Sequence, residues 1–523
     1  MAVSARPVAA STAPETAAWP WHVPLVGSVR ASLLVGAQRR MEAETYLADG
    51  YGVRLAMEAK TSGWVRFGAL ARASAPPRIK QILVLPTHGV PYLNTSQVFD
   101  LRPMPRKWLA MGKTTKAEDR LVKEGTILVM ASATVGRAIV ATKAHEKKII
   151  SHHFMRVKPV EESLSGWLYA FLRSPQAQSM ISGSQYASVI RHIEPHHLAM
   201  LPIPEVSEAV AADFKTKVAE IIACRNKAAK MRGDAEAEFE NAVEATKSTG
   251  EEAGFSVGLS DVIAGRRRFE AAYHVPQVRA IISSFQRWDL LGSITQRVWW
   301  PNRFKRQYGY PGTPYMSADD VFTTNPYGLK SVLIEGKKDR DDFTVEPGWI
   351  VMARSGQTYG LNGSATLVTA YHEQFFLSED LIRIAPDTAK VRPGYLLIAL
   401  THPRLGRPLV IREAYGMSIP HLDPKDVAAI PVVRLGKATE DAIADLAEQA
   451  ASEHARAEML ERELAVEAGI VVSEFLMRPS SLPTPEDVAD VAISQLRLAE
   501  IDNHPEDVLR GSDLEARMAQ WES

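Results

Sequence analysis

The chain has 523 residues, 46% of them apolar and 23% charged, the balance of an ordinary soluble protein with room for about three or four domains. Its single cysteine, Cys224, excludes an intrachain disulfide, so we expect a reducing compartment, the cytoplasm. No apolar run approaches ~18 residues, which excludes a membrane-spanning helix, and no membrane partner is predicted.

The formal net charge is zero, but it is the sum of opposed parts. Residues 51–158 carry 19 Lys and Arg against 6 Asp and Glu, a local net of +13, and residues 436–523 carry 7 against 20, a local net of −13. Residues 281–385 carry 11 of each sign. A long basic segment suits the phosphate backbone of a nucleic acid, because each neutralised phosphate releases condensed counterion. A solvated face is the alternative, and it applies best to shorter charged runs.

The first thirty residues are rich in Ala, Pro and Ser and lack the basic start and apolar centre of a secretion signal, so we expect a loosely ordered arm. Residues 51–158 then alternate short apolar runs with Gly and Pro turns, which predicts strands and loops. Residues 164–183 have apolar side chains at helical spacing. The tail from Ser480 is acidic.

Apolar residues recur at three- and four-residue steps from Ser207 to about Lys247, and again from about Thr439 to Leu476. This spacing predicts two helices, each about 60 Å long. Gly233 weakens the first helix, because glycine has a low helix propensity. Neither narrow apolar seam can be satisfied by one helix in water, so we expect an antiparallel coiled coil with a pseudo-twofold axis. The predicted seam consists of Phe214, Val218, Ile221, Ile443, Leu446, Leu460 and Leu464.

One stretch of the chain occurs twice. Gly89-Val90-Pro91-Tyr92 recurs as Gly312-Thr313-Pro314-Tyr315, at an offset of 223. Each is a turn that leads into a strand, because Gly permits a positive φ and Pro fixes its own φ. Other matched motifs flank both copies in the same order, and their offset stays between 223 and 229. Two copies of one domain account for this pattern.

The last of these matches lies near the end of each copy. Tyr186, Ile190 and His192 of the first copy have the same spacing as Tyr415, Ile419 and His421 of the second. A proline follows three residues after each histidine.

Three patterns suggest catalysis or metal binding, and none is adopted. Asp320, Glu335 and Lys337 imitate the Asp…Glu-x-Lys arrangement of nucleases, in which two carboxylates hold Mg²⁺, but the first copy has no clear equivalent. Gly112-Lys113-Thr114 lacks the earlier glycine of a phosphate loop. Histidines at 152, 153, 192, 196 and 197 lack a cysteine or a helical pair, so we predict no metal site and no catalytic residue.

The residues that remain are suited to binding a nucleic acid rather than to catalysis. Long cations lie beside aromatic residues ahead of the repeated turn in the second copy, and cations occupy the matched place in the first. Such side chains reach phosphates, and an arginine can form two hydrogen bonds to guanine. The predicted DNA-binding residues are Arg78, Lys80, Arg102, Arg106, Lys107, Lys113, Lys116, Arg137, Arg303, Lys305, Arg306, Tyr308 and Arg354. For any one of them, a solvated surface position without DNA contact is the alternative.

Each copy thus has a basic loop, a Gly-x-Pro-Tyr turn, an apolar hairpin with Ser132 or Ser355 behind it, and a long helix after its last proline. Over about residues 40–477 this pattern resembles the specificity subunit of type I restriction-modification systems. The resemblance implies two target recognition domains, each reading half of a split sequence in double-stranded DNA. It also implies that the paired helices fix the unread gap and hold modification subunits.

The resemblance implies an α+β fold in which two repeated α/β domains are separated by two long helices. The predicted divisions are an N-terminal arm (1–38), recognition domain 1 (39–206), helix 1 (207–247), recognition domain 2 (248–435), helix 2 (436–478) and an acidic tail (479–523). The N-terminal arm and the tail exceed the pattern of the family.

The leading hypothesis is a non-catalytic specificity subunit that binds no cofactor itself. The resemblance implies two methyltransferase subunits that carry S-adenosylmethionine. It also implies restriction translocase-nuclease subunits, where present, that use ATP and Mg²⁺. One alternative is a self-sufficient nuclease using Asp320, Glu335 and Lys337. The other is a scaffold that has lost sequence recognition.

Overall fold

The computed structural model describes residues 49–110, 120–185, 191–243, 254–264, 268–303, 306–333, 341 and 343–478. The N-terminal arm and the acidic tail lie outside these residues. The chain divides into two units: unit 1 comprises 1–99, 103–222 and 460–523, and unit 2 comprises 100–102 and 223–459. Among the described residues, no helix combines the length and the apolar character that crossing a membrane requires.

Unit 1 is built from short strands and helices that precede a long helix. In chain order they are α1 (Asp49–Glu58), β1 (Trp64–Arg66), α2 (Phe67–Leu70), β2 (Ala71–Ser74), β3 (Leu83–Val84), β4 (Val90–Leu93), α3 (Thr95–Phe99), β5 (Lys107–Leu109), β6 (Ile127–Met130), β7 (Ala138–Val140), β8 (Ile149–Ile150), β9 (Phe154–Pro159), α4 (Ser165–Arg173), α5 (Pro175–Gly183), α6 (Pro195–Ala199) and β10 (Pro202–Pro204). The strands form three sheets, with the orders β2-β9-β6-β7, β3-β5-β4-β8 and β1-β10.

The helical segment predicted at 164–183 is two helices. Pro175 begins α5, and the Ser174 hydroxyl before it accepts a hydrogen bond from the amide of Ala177 at 3.2 Å. Proline suits a first helical position but breaks a helix interior, so the chain ends α4 and restarts.

Unit 2 follows the long helix α7 (Glu208–Val243). Its elements are α8 (Leu259–Ala264), α9 (Pro276–Ser283), β11 (Trp288–Leu290), β12 (Thr295–Trp299), β13 (Gln307–Met316), β14 (Lys330–Leu333), β15 (Ile350–Ala353), β16 (Ala365–Leu367), β17 (Phe376–Leu377), β18 (Leu381–Pro386), α10 (Pro393–Thr401), α11 (Arg407–Arg412), α12 (Pro424–Ala428) and β19 (Pro431–Val433). The second long helix, α13 (Lys437–Met477), comes next. The sheets have the orders β12-β18-β15-β16, β14-β13-β17 and β11-β19.

The large sheets of the two units share one topology. The four-stranded sheet β2-β9-β6-β7 has the same strand order as β12-β18-β15-β16. Its register also repeats, because Ile127 pairs with Val157 as Ile350 pairs with Ile384. The Gly-x-Pro-Tyr motif enters β4 in one unit and β13 in the other, and its tyrosine begins a parallel pairing in both. The duplication predicted from the sequence is therefore present in the backbone.

The central strand of each large sheet is buried on both faces. In β6, Ile127 and Val129 face one apolar cluster, while Leu128 and Met130 face another. The alternation of β15 is the same, with Ile350 and Met352 in one cluster and Val351 and Ala353 in a second. Side chains alternate between the faces of a strand, so continuous apolar runs at 127–130 and 350–353 reflect burial on two sides.

The long helices α7 and α13 pair antiparallel. Within unit 2, Arg225 Nη2 lies 3.0 Å from Glu458 Oε1, and Lys227 Nζ lies 2.5 Å from Glu453 Oε1. As the position on α7 rises, that of its partner on α13 falls. In unit 1, Lys217 pairs with Glu467. The two helices predicted from apolar spacing are thus confirmed, with bounds within a few residues of the predicted ones.

The predicted seam residues are also core residues of the units. Phe214, Val218, Ile221 and Leu464 are buried in the core of unit 1, where the Phe214 ring lies 5.3 Å from that of Trp167. In unit 2, Ile443 is buried, while Leu446 of unit 2 and Leu460 of unit 1 are partly buried. The seam therefore packs on the globular part of its own unit as well as along the partner helix.

Gly233 lies on an exposed face of α7, and a Cβ added there would meet no atom within 4 Å. Glycine destabilises a helix interior through backbone entropy, so Gly233→Ala is expected to raise the free energy of unfolding by about 0.5–1 kcal/mol. Urea unfolding monitored by circular dichroism would measure this gain. A lower stability for the variant would contradict the prediction.

Candidate nucleic-acid interface

Exposed cations of unit 1 gather around the small sheet β3-β5-β4-β8. Lys107 begins β5, opposite Tyr92 of β4, and Arg106 precedes it. Arg78 and Lys80 lie on the segment that leads to β3. All four cations are exposed. The Arg78 Nε donates to His152 Nε2 at 3.3 Å, which places this guanidinium beside the end of β8.

The matching sheet of unit 2, β14-β13-β17, combines cations with an aromatic ring. Tyr308 on β13 is 43% exposed, and Lys330 Nζ lies 4.8 Å from the centre of its ring. Arg303 and Arg306 are exposed just before β13. Lys330 was not among the residues predicted to bind DNA. No local sequence pattern marks it, because Lys330 is placed only by the pairing of its strand with the repeated Pro-Tyr motif.

Arg306 is tied to a buried carboxylate. Its guanidinium forms an ion pair with Glu379, whose side chain is 4% exposed, and lies 5.3 Å from the ring centre of Tyr315. Burial opposes the charge, but the hydrogen bond to Glu379 and nearby charge leave the pKa of Arg306 raised. Burial also raises the pKa of Tyr315 to about 12. Arg306 thus offers less net positive charge than Arg303.

Three predicted arginines pack against the protein itself. Arg102 forms an ion pair with Glu236 in unit 2, and burial together with the charge of Arg232 lowers the pKa of Arg102 to about 10. Arg137 lies 3.8 Å from the ring centre of Phe99, and Arg354 lies 4.2 Å from that of Trp300. The other predicted cations, Lys113, Lys116 and Lys305, lie outside the described residues.

A serine and a histidine form the same backbone bridge in each unit, Ser132 with His192 and Ser355 with His421. In unit 1 the Ser132 hydroxyl also lies 2.7 Å from His192 Nδ1 and 3.0 Å from His153 Nδ1. A serine beside a histidine can serve as a nucleophile beside its base. Recurrence as a backbone bridge instead indicates a structural role, joining the loop after the central strand to the segment before α6 or α12.

The neighbouring histidines of unit 1 pack ring against ring. The rings of His152 and His153 are 4.0 Å apart. Burial and nearby positive charge lower the pKa of His152 to about 4 and also lower the pKa of His153. Within the described residues, no group of three or more His, Cys, Asp or Glu side chains is arranged to hold a metal ion.

A repeated Thr-x-x-His turn was missed by the sequence analysis. His145 Nδ1 accepts from the amide of Thr142 at 3.0 Å, and His372 Nδ1 accepts from that of Thr369 at 3.1 Å. Both histidines are buried. The signal was present in the sequence, since each turn reads Thr-x-x-His-Glu at an offset of 227, within the range of the other matches.

A buried histidine, His372, and a partly buried one, His454, are expected to make unit 2 sensitive to acid. Burial and the charge of His454 lower the pKa of His372 to about 4, and burial with Arg225 and Arg232 lowers that of His454 to about 3. An unfolded histidine has a pKa of about 6.5, so below that pH the unfolded chain binds more protons than the folded chain. The stabilisation is complete above about pH 6.5 and is lost as the pH falls toward 4.

We therefore expect unit 2 to lose on the order of 3 kcal/mol of stability through His372 alone over this range. Urea unfolding at pH 7.5, 6 and 5 would measure the loss. His454→Leu should flatten the dependence, because it removes one group that charges on unfolding. A midpoint that stays constant from pH 7.5 to 5 would contradict the assignment.

The nuclease pattern is only partly described. The Asp320 carboxylate accepts from the amide and the hydroxyl of Ser317, at 2.9 and 2.6 Å, and so closes a turn. Glu335 and Lys337 lie outside the described residues.

No protein-family model and no curated protein matches the chain. Among solved structures, the type I restriction-modification system S subunit from M. genitalium matches with 14% identity and a TM-score of 0.28, covering 83% of this chain and 96% of its own. The HsdS subunit from Thermoanaerobacter tengcongensis matches with 15% identity and a TM-score of 0.23, covering 79% and 96%. A structure of a type I R-M system in complex assembly matches with 14% identity and a TM-score of 0.23, covering 79% and 97%. Over most of its length the chain is thus similar to S subunits of type I restriction-modification systems, the family that its repeated motifs resemble.

Proposed function

We propose that this protein is a non-catalytic DNA-reading subunit that recognises a split target, one half with each unit. The observation that carries the proposal is the duplication itself. Both units contain a large four-stranded sheet with the same strand order and matched register, and a matched Ser–His bridge. The small sheet has four strands in unit 1 and three in unit 2. A chain that reads two half-sites needs two such units.

The exposed cations support DNA as the ligand. Arg78, Lys80, Arg106 and Lys107 lie around the small sheet of unit 1, and Arg303 and Lys330 lie by the matching sheet of unit 2. Equivalent surfaces in two copies thus present cations beside strands, as phosphate contacts require. The proposed interface leaves out Arg102, Arg137 and Arg354, whose guanidinium groups pack on Glu236, Phe99 and Trp300.

The proposal includes partner subunits. We assign S-adenosylmethionine to two methyltransferase subunits held by this chain, and ATP and Mg²⁺ to a restriction translocase-nuclease where one is present. We place the complex in the cytoplasm, where DNA is accessible and a lone cysteine stays reduced.

Methylation sequencing of the host genome, with and without the gene for this chain, tests the function. Loss of a single split motif on deletion is expected, with its return on complementation. Persistence of every modified site after deletion would overturn the proposal.

A salt titration tests the interface. The triple variant Arg78→Ala, Lys80→Ala, Arg106→Ala is expected to weaken duplex binding and to reduce the slope of log Kobs against log[salt] by about 0.9 for each phosphate contact removed. Lys230→Ala is the matched control, because Lys230 is an exposed lysine on α7 whose side chain is 77% exposed. An equal slope for the triple variant and the wild type would exclude these cations.

The alternatives give different results. A self-sufficient nuclease would cleave duplex DNA as a purified chain with Mg²⁺, and Glu335→Ala would abolish the cleavage. A scaffold without recognition would bind DNA with no sequence preference. The proposed subunit is expected to leave DNA intact and to prefer one split motif.

A further inference from the structure

Two neighbouring loops of unit 2 hold large apolar side chains in solvent. Met417 is fully exposed, Tyr359 is 73% exposed and Ile419 is 57% exposed. They belong to the loop between β15 and β16 and to the loop between α11 and α12. Single exposed apolar residues are common on proteins, but a group of them on adjoining loops marks an interaction surface. We call Tyr359, Met417 and Ile419 the apolar tip.

Hydrogen bonds hold the two loops together. The Asn362 side chain is buried, and its Nδ2 donates to the carbonyls of Gly356 at 3.2 Å and Pro420 at 2.8 Å, one on each loop. Gln357 Nε2 donates to the Ser418 carbonyl at 3.2 Å. These hydrogen bonds therefore fix the position of the two loops that carry the apolar tip.

The backbone conformation of the two loops is also fixed by hydrogen bonds and by glycines. Arg407 Nη2 donates to the carbonyls of Thr358, Gly360 and Asn362, which fixes the course of the first loop. Glycines stand at φ of 128° and 103°, at positions 356 and 416, where a side chain would be strained. Such preorganisation reduces the entropy lost on binding.

The composition of the loops indicates the occupant. Residues 354–364 and 414–421 contain no Asp or Glu, in a chain with 61 acids and 61 bases. The segments of the first copy that match them in the repeat, 131–141 and 185–192, also contain no acid. Loops without carboxylates do not repel a polyanion, and the same composition is found in the matched sequence of the first copy.

We infer that the apolar tip contacts the bases of duplex DNA, with Met417 entering the stack between two base pairs. This deepens the proposed function, on which it rests. Apolar side chains, methionine among them, act as wedges in other DNA-binding proteins, where partial unstacking is offset by a larger contact surface. The Met417 side chain is long and flexible, and the Tyr359 ring offers a face on which a base can stack.

The test uses the full chain with its co-expressed partner subunits, and two variants, Met417→Ala and Tyr359→Ala. Met477→Ala is the control, because Met477 is 82% exposed at the end of α13. Each protein selects binding sites from a random duplex library. Wild type and control are expected to select one split motif, while each tip variant keeps one half of that motif and loses its preference for the other by roughly tenfold.

A second readout follows stacking directly. Duplexes with 2-aminopurine at successive positions of the affected half-site should brighten with wild type and control, but not with Met417→Ala. An unchanged motif and unchanged fluorescence for both tip variants would overturn the inference. Intact DNA preference with loss of the co-purified subunits would also overturn it, since the tip would then bind protein.

Failure of the proposed function is distinguishable. In that case wild type itself selects no motif. The contact by Met417 is then tested by the fluorescence of 2-aminopurine in a duplex of arbitrary sequence. Equal fluorescence with wild type and with Met417→Ala would overturn the inferred contact.

Discussion

Gly166→Ala is expected to lower the free energy of unfolding by about 3 kcal/mol or more. Gly166 lies in α4, against the long helix α7 in unit 1, and an added Cβ would stand 2.2 Å from the amide nitrogen of Lys215 and 2.5 Å from the carbonyl carbon of Phe214. These are backbone atoms, which cannot rotate away. In the variant, α4 must therefore move away from α7, and this movement disturbs the contact between Trp167 and Phe214.

The second copy repeats this packing. At Gly394 in α10, an added Cβ would stand 2.5 Å from the Ala444 carbonyl oxygen and 2.7 Å from Glu448 Cγ of α13. Part of the obstruction here is a side chain that can move, so Gly394→Ala should cost less than Gly166→Ala. Urea unfolding measures both, with Gly233→Ala as the helical glycine that has open space around it. If Gly166→Ala and Gly233→Ala changed stability alike, the close approach of α4 and α7 would be refuted.

Glu458→Leu is expected to cost about 3–5 kcal/mol. The Glu458 side chain is 4% exposed and joins three parts of unit 2. One carboxylate oxygen pairs with Arg225 on α7 at 3.0 Å, and the other accepts from the amide of Asn325 at 2.6 Å. The substitution removes a carboxylate from beside the buried Arg225 guanidinium, and the Asn325 amide loses this acceptor.

The double variant Arg225→Met, Glu458→Leu should recover a large part of that loss, because it removes both buried charges of the pair. Lys227 and Glu453 provide the control on the same helix pair, with side chains 55% and 17% exposed. Water and salt screen this pair, so Glu453→Gln should cost under about 1 kcal/mol. Equal costs for Glu458→Leu and Glu453→Gln would show that burial of the Arg225–Glu458 pair contributes nothing.

Local sequence patterns predicted the helices, the repeat and the helix break, because each depends on residues that are close together in the chain. Apolar residues at three- and four-residue steps predicted α7 and α13, because one helix face must be buried. The repeat of Gly-x-Pro-Tyr predicted two copies, and the strand that follows it pairs in the same way in both units. A proline at 175 also carried the information that α4 and α5 are separate helices.

The candidate site could be predicted only in part, because charge can be read from the sequence and its partners cannot. Arg102 and Arg354 look alike as cations in basic loops, yet Arg102 meets Glu236 and Arg354 stacks on Trp300. Those partners lie 134 and 54 positions away in the chain, and no local pattern connects them. Lys330 was missed for the same reason, since it reaches Tyr308 only after the hairpin has formed.

The sequence by itself determined the duplication and the two long helices, because repeats and helical periodicity are properties of neighbouring residues. Only the tertiary structure decided that Gly166 and Gly394 seat α4 and α10 on those helices, and that Asn362 and Arg407 hold an apolar tip in solvent. Such features depend on packing distances and hydrogen bonds between segments far apart in the chain. They exist only once both segments have folded.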